Sequence, residues 1–218
     1  MQTIQTCLAE NRVILDPVSW ETFNQLLQEL GDKRSQRFAY SQGTVEIMTP
    51  LGEHEHNNRF IERLIYVIID ELELEVKSFG SLTLKAENQK KGVEPDSCFY
   101  IKNEFQVRNK QNIDVNIDPV PDLVLEIDIT SSSLDKFVIY GALGVSEIWR
   151  YNGKVLRVSL WNAENKFYER SDYSRVFSWL KVDDLSAFIK QCLRDGETKT
   201  LRDFRRWVQC QSNNSTFL

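Results

Sequence analysis

The sequence predicts an α/β protein (an α+β mixed sheet) in which helices pack on a central mixed β-sheet, and three patterns carry that prediction. First, Phe60, Ile61, Leu64, Ile65, Ile68, Ile69 and Leu72 recur at helical spacing, with Glu62, Arg63, Asp70, Glu71 and Glu73 interleaved. Such a helix has an apolar stripe that must lie against a sheet. Second, residues 122–130 (DLVLEIDIT) alternate. On a strand, Leu123, Leu125, Ile127 and Ile129 share one face, and Asp122, Val124, Glu126, Asp128 and Thr130 share the other. Third, Gln42-Gly43 and Asn152-Gly153 each separate two short β-forming runs, which is a hairpin signature.

Taken in order, Ser19 caps a predicted helix over Trp20–Leu30, with Glu21 in its first turn and Gly31 just past its end. RFAYSQGTVEIM then forms the first hairpin, and TPLGEHEH interrupts the pattern before the long helix. Strands are expected over Val76–Leu84 and Ser97–Ile101, separated by a polar stretch. The loop KNEFQVRNKQNIDVNIDPVP has a length typical of functional loops and leads into the strand at residue 122. A helix is expected from near Ser133, where Ser132 and Asp135 have capping-box spacing with Asp in place of Glu. VSEIWRYN and KVLRVSLW make the second hairpin, in which Trp149 and Tyr151 read as core. LSAFIKQCL and LRDFRRWV read as short amphipathic helices. One domain over residues 1–210 and a tail over 211–218 follow.

Composition narrows the function. With 41% apolar and 27% charged residues, the 218-residue chain has globular proportions and length enough for a full core. Its longest apolar run, Leu64–Ile69, is far too short to span a bilayer, and the N-terminus lacks the pattern of a secretion signal, so a cytoplasmic protein without membrane partners is expected. Cys7, Cys98, Cys192 and Cys210 are scattered and form no CxxC pair, which suggests reduced structural thiols. A net charge of −5 argues against nonspecific coating of nucleic acid but leaves room for a local basic groove.

The acids at 122–130 pose the central question. A half-exposed strand would explain them without any site. Two features point elsewhere. Lys136, in the opening turn of the next helix, is within reach of the strand's acidic end. Upstream, KKGVEPDSCFYI sets Asp96 after a proline at a strand start, and adjacent antiparallel strands would bring Asp96 and Glu126 together. Two carboxylates that meet make a magnesium site, completed by water, carbonyl and phosphate oxygens. Such an ion polarises a phosphoryl oxygen, and Lys136 would stabilise the charge that develops there.

These residues carry a resemblance. An acid after proline, a second acid on the next strand and a nearby lysine resemble the PD-(D/E)XK nuclease superfamily. EIMTPLGEHEH, GVEPDSCFYI, PDLVLEIDITSSSLDK and YGALGVSEIWRYNG are similar to the Uma-two family of bacterial restriction endonucleases. The resemblance runs from about Ser19 to Leu160 and more loosely through FRRWV. It implies a restriction-endonuclease-like core and magnesium-dependent cleavage of DNA phosphodiesters, with manganese as an alternative ion. It also implies a homodimer that reaches both strands. Asp96 matches the first metal-binding acid and Glu126 the second. Asp128 stands where the superfamily motif has lysine, so the lysine role passes to Lys136, and Asp128 becomes a candidate for a second ion or for positioning water.

Other candidates have plainer alternatives. His54 and Glu55 in GEHEHNN are auxiliary site candidates, although their spacing does not fit HExxH and a solvated helix start explains them as well. Lys85 and Lys91, with Lys90, Arg108 and Lys110, are candidates for a basic lip that guides a phosphate backbone; solvated loop charges are the alternative. Arg202, Arg205 and Arg206 with Phe204 and Trp207 favour a helix docked on the core over nucleic-acid contact. The leading expectation is a metal-dependent endonuclease. The alternatives are a catalytically silent nuclease fold that binds nucleic acid or a partner, and hydrolysis of another phosphate ester.

Overall fold

A computed structural model describes residues 10–31, 34–80, 82–130 and 134–214. In chain order the elements are β1 (Glu10–Leu15), α1 (Trp20–Leu30), β2 (Arg37–Ser41), β3 (Thr44–Pro50), α2 (Gly52–Glu71), β4 (Lys77–Phe79), β5 (Leu84–Ala86), β6 (Lys91–Val93), β7 (Ser97–Tyr100), α3 (Glu104–Val107), β8 (Leu123–Ile127), α4 (Lys136–Leu143), β9 (Glu147–Tyr151), β10 (Leu156–Asn162), β11 (Phe167–Ser171), α5 (Val182–Asp195) and α6 (Glu197–Asn214).

The strands form two sheets. The mixed sheet has the order β11-β10-β9-β8-β7-β4 and is antiparallel except for the parallel pair β8/β9, which α4 connects. The other sheet, β1-β3-β2-β6-β5, is antiparallel throughout. The stretch read from sequence as one strand over Val76–Leu84 is in fact β4, a break and the start of β5, which belong to different sheets.

Three apolar interfaces hold the layers together. One face of the mixed sheet (Phe99, Leu123, Leu125, Ile127, Trp149) packs against Phe60, Ile61, Leu64, Ile65 and Ile68 of α2 and against α5 and α6. Its other face (Cys98, Tyr100, Val124, Ile148) packs against Ile139 and Tyr140 of α4 and Ala39, Leu84 and Val93 of the five-stranded sheet. The far side of that sheet covers Trp20 and Phe23 of α1. Burying each such large apolar side chain contributes about 1.5–3 kcal/mol, and both faces of β8 take part. The half-exposed-strand reading therefore fails, because Val124 and Glu126 on the acidic face are buried.

Local signals explain most element ends. Ser19 Oγ accepts the Thr22 amide at 3.0 Å, and Gly31 closes α1 by donating to Leu27 O at 3.1 Å. Gln42 and Gly43 both adopt positive φ, the two-residue turn that matches strand twist. Two starts differ from expectation. α2 begins at Gly52, so GEHEHNN is part of the helix and places His54, Asn58, Ile61 and Ile65 on its buried side. α4 begins at Lys136, capped by Asp135 Oδ1 accepting the Phe137 amide at 3.0 Å; the expected Ser132 cap and Ser133 start lie outside the described residues. At the far end, α5 and α6 are longer than the short helices expected. α6 buries Phe204 and Val208, packs Trp207 on the core and continues to Asn214, while Arg205 pairs with Glu71 and Asp70 of α2, which bears out docking.

Candidate active site

The site forms where β7 meets β8. Ser97 pairs with Leu125, so Asp96, one residue earlier, lies across from Glu126. Pro95 has no amide hydrogen to extend the ladder, and the Asp96 side chain takes up the pairing instead: its Oδ2 accepts the Ile127 amide at 2.8 Å. Glu126 points to the α4 side. Its Oε2 accepts from Lys136 Nζ at 2.6 Å and its Oε1 accepts from Tyr140 Oη. Lys136 and Tyr140 reach one carboxylate because residues four apart share a helical face.

The other wall comes from α2 and the five-stranded sheet. His54 is 1% exposed; its Nε2 stands 3.3 Å from Asp96 Oδ2 and 3.6 Å from Glu10 Oε2. Neither ring nitrogen has a hydrogen-bond partner, so these are close polar contacts between a buried imidazole and two carboxylates. Glu10 Oε1 accepts from the Thr130 amide at 2.7 Å and from Arg12 Nη2 at 2.9 Å. Arg12 also meets Glu46, and Asp128 at 3.2 Å; Asp128 is held on its other oxygen by Arg150 at 2.7 Å. Glu126, Asp128, Lys136, Tyr140 and Arg150 line a cavity of about 300 Å³.

Electrostatics divide the two central carboxylates. Burial disfavours ionised Asp96, but His54, Lys136 and the Ile127 amide outweigh it and hold its pKa below the ordinary value. Burial pushes Glu126 up against the pull of Lys136, and the charge of Asp96 adds to the rise. Burial works against the ammonium of Lys136, yet Glu126 and then Asp96 raise its pKa. The His54 ring is likewise opposed by burial and raised overall, chiefly by Asp96 and then Glu10. Two neighbouring carboxylates are thus driven apart, the arrangement that separates acid and base roles in catalytic sites.

The structure therefore gathers Asp96, Glu126, Lys136, Asp128 and His54 and leaves other candidates outside. His54 is buried, contrary to a solvated helix start. Glu55 faces Arg59 at 3.6 Å on the helix exterior. Lys85, on the outer strand β5, donates to Asn24 at 3.1 Å and pairs with Glu87 at 3.2 Å. β6 lies between it and Asp96 along the chain. Arg108 is engaged by Glu104 and Glu75, and Lys110 by Asp118. Lys91, on β6, borders a groove beside the cavity. Asp122 is structural: it accepts the Ile101 amide at 2.7 Å, the Asn103 amide at 3.1 Å and the Asn103 side chain at 2.8 Å.

Sequence reasoning missed Glu10, Arg12, Glu46 and Tyr140. Signals were present: Glu10 and Arg12 share one side of a strand-like ENRVIL, Glu46 interrupts the apolar run around Val45 and Ile47, and Tyr140 follows Lys136 by one helical turn.

The model of the Uma2 family, described as "Putative restriction endonuclease", matches residues 20–189. The chain belongs to the Uma2 family. Membership places it among nucleases of the restriction-endonuclease-like class. β1, which brings Glu10 and Arg12, precedes the span matched to Uma2. Among solved structures, the chain resembles a protein from Anabaena variabilis ATCC 29413 described as "a putative nuclease belonging to DUF820". The TM-score is 0.52 at 18% identity, over 78% of this chain and 98% of that one. That likeness shows the fold. No curated protein matches this Uma2 chain.

Whether the site suits a divalent cation rests on its donors. Carboxylate oxygens of Asp96 and Glu126 are the hard ligands that magnesium and manganese take. Glu10 Oε2 is buried without a hydrogen-bond partner, so the wall retains an oxygen acceptor that an ion's water would use. Among the described residues, no group of three or more His, Cys, Asp or Glu side chains is already gathered as a ligand set. The donor chemistry fits, and the acid pair supplies it.

Proposed function

We propose that this Uma2 protein is a divalent-metal-dependent endonuclease that hydrolyses phosphodiester bonds in DNA. The observation that carries the reading is the meeting of Asp96 and Glu126 across the β7/β8 register, with Glu126 and its partner Lys136 lining the cavity. Asp96 and Glu126 are the residues that would hold magnesium, or manganese in its place. The bound ion would supply Lewis acidity and a water of lowered pKa. Lys136 brings an ammonium to the cavity, where negative charge grows on the phosphoryl oxygens during hydrolysis. Tyr140 orients Glu126 through its hydroxyl, and His54 steadies Asp96. In this reading Asp128, held between Arg12 and Arg150, would orient water, and Lys91, which borders the adjoining groove, would meet the nucleic-acid backbone. A cytoplasmic location and a pairing of two copies go with this reading; the mass in solution tests the pairing.

One observation favours a second reading, a catalytically silent module that binds nucleic acid. Lys136 already neutralises Glu126 at 2.6 Å. The deciding experiment is cleavage of supercoiled plasmid and of single-stranded DNA with magnesium, manganese or chelator, using wild type, Asp96→Ala and Glu126→Gln. Metal-dependent cutting that falls at least about 100-fold in both variants is expected, the order of loss for removing a key electrostatic group. Equal cutting by Glu126→Gln removes that residue from the mechanism, and DNA binding without cutting supports the silent module.

A further inference from the structure

Beside the cavity of Lys136 lies a larger groove of about 700 Å³, and the two share Asp135 and Phe137. Its walls are aromatic. Phe137 of α4 stands 5.3 Å from Tyr168 of β11, and Tyr168 stands 5.1 Å from Trp161 of β10. Phe167 is 50% exposed at the outer end. Its cations are Lys91 and Lys166, and the Arg150 guanidinium lies 5.6 Å over the Phe137 ring at the junction with the cavity. The groove also depends on one glycine. A Cβ at Gly141 would sit 2.6 Å from Trp161 Cζ3, so a bare helix backbone is what lets the indole lie along α4.

Aromatic faces left partly open to water beside lysines offer what an unpaired base needs: a flat surface for stacking and cations for the adjoining phosphates. A base inside a duplex has both faces covered by its neighbours and cannot use such a wall. Because the groove adjoins the cavity through Asp135 and Phe137, a strand whose phosphate reached Lys136 would bring its neighbouring nucleotide beside Phe137 and Tyr168.

We propose that this groove seats an unpaired nucleobase of the cleaved strand, so that the substrate is single-stranded or locally opened nucleic acid. The proposal rests on the nuclease reading for the word "cleaved" and on the groove itself for the base.

The test is binding of a labelled oligothymidylate and of a duplex of equal length, followed by fluorescence anisotropy in chelator so that nothing is cut. Wild type is compared with Phe137→Leu and Tyr168→Leu, which remove the two rings under the base but keep apolar volume, with circular dichroism confirming that each variant is folded. Tighter binding of the single strand is expected, with each substitution weakening it roughly tenfold, the loss of one base–aromatic stack. Duplex affinity should stay within about twofold and the salt slope should not change, since no cation is removed. Equal wild-type affinity for the two forms, unchanged binding by both variants, or equal loss on both forms overturns the proposal. Cutting by the same variants in magnesium separates the two readings. Metal-dependent cutting with unchanged binding rejects the groove and keeps the nuclease, whereas stack-dependent binding without cutting keeps the groove and rejects the nuclease.

Discussion

Replacing Lys136 by methionine removes the ammonium but keeps a flexible apolar stem, and the expected cost follows from its surroundings. The Lys136 and Glu126 side chains are 15% and 4% exposed, and their charges meet at 2.6 Å. Removing one member of a buried pair costs about 3–5 kcal/mol, because the other charge is left uncompensated. Tyr140 continues to donate to Glu126, so the lower end, about 3 kcal/mol, is expected. In urea with chelator present, a slope of about 1–3 kcal/mol per molar turns that loss into a midpoint drop of roughly 1–3 M. The double variant Glu126→Gln/Lys136→Met replaces the pair by neutral groups of similar shape and should return to within about 1 kcal/mol of wild type. A coupling energy of about 2 kcal/mol or more is therefore expected. If the double variant loses the plain sum of the single losses, Lys136 is not the partner of Glu126, and the reasoning that links them across the cavity fails.

Four further outcomes are expected. Magnesium should raise the melting temperature of wild type and not of Asp96→Ala, with stabilisation of about 2.7 kcal/mol when the ion is at a hundred times its Kd; an equal rise in both would detach Asp96 from the ion. Asp122→Ala leaves the amides of Ile101 and Asn103 without their acceptor and should cost about 2–6 kcal/mol in urea unfolding, from about 1–3 for each orphaned donor. Metal binding measured by calorimetry should persist in that variant. Gly141→Ala forces a Cβ against Trp161 and should destabilise by about 1–3 kcal/mol with a change in tryptophan fluorescence. The Cys98 thiol, pushed up to about 12 by burial, should resist a thiol reagent at mildly alkaline pH in the native protein while exposed Cys210 reacts.

What the sequence revealed of the fold was what is local. Heptad-like spacing over Phe60–Leu72 found the buried stripe of α2, alternation over 122–130 found the two faces of β8, and Gln42-Gly43 found the β2/β3 turn. Pairing between distant segments carries no such periodic mark. β4 and β5 are three residues each and only four residues apart, yet one pairs with β7 and the other with β6. A continuous pattern over 76–84 cannot show that the chain changes sheets in the middle. The start of α2 was hidden for a related reason: GEHEHNN looks polar, but on its inner side His54 faces Glu10 and Asp96, and Asn58 exchanges hydrogen bonds with Ser97 of β7.

The acids of β8 show the same limit at the level of chemistry. In sequence Asp122, Glu126 and Asp128 look equivalent, being on one face of one strand. Their partners make them different: Asp122 closes a turn through backbone amides, Glu126 meets a lysine and a tyrosine of α4, and Asp128 is held between Arg12 and Arg150. Only the α4 partners lie close enough along the chain to be read from it. Glu10, Arg12 and Glu46 come from the other sheet, and they alter the charge balance. The side chains of Glu10, Glu46, Asp96, Glu126 and Asp128 are each no more than 9% exposed, and Arg12 and Lys136, with the His54 imidazole and Arg150 at the rim, are the basic groups that face them. Well-packed apolar residues in such a place are often more stable than ion pairs by about 1–4 kcal/mol. A core that keeps surplus carboxylates gives up that stability. A divalent cation drawn to Asp96 and Glu126 would correct the imbalance, so metal binding and folding stability should rise together.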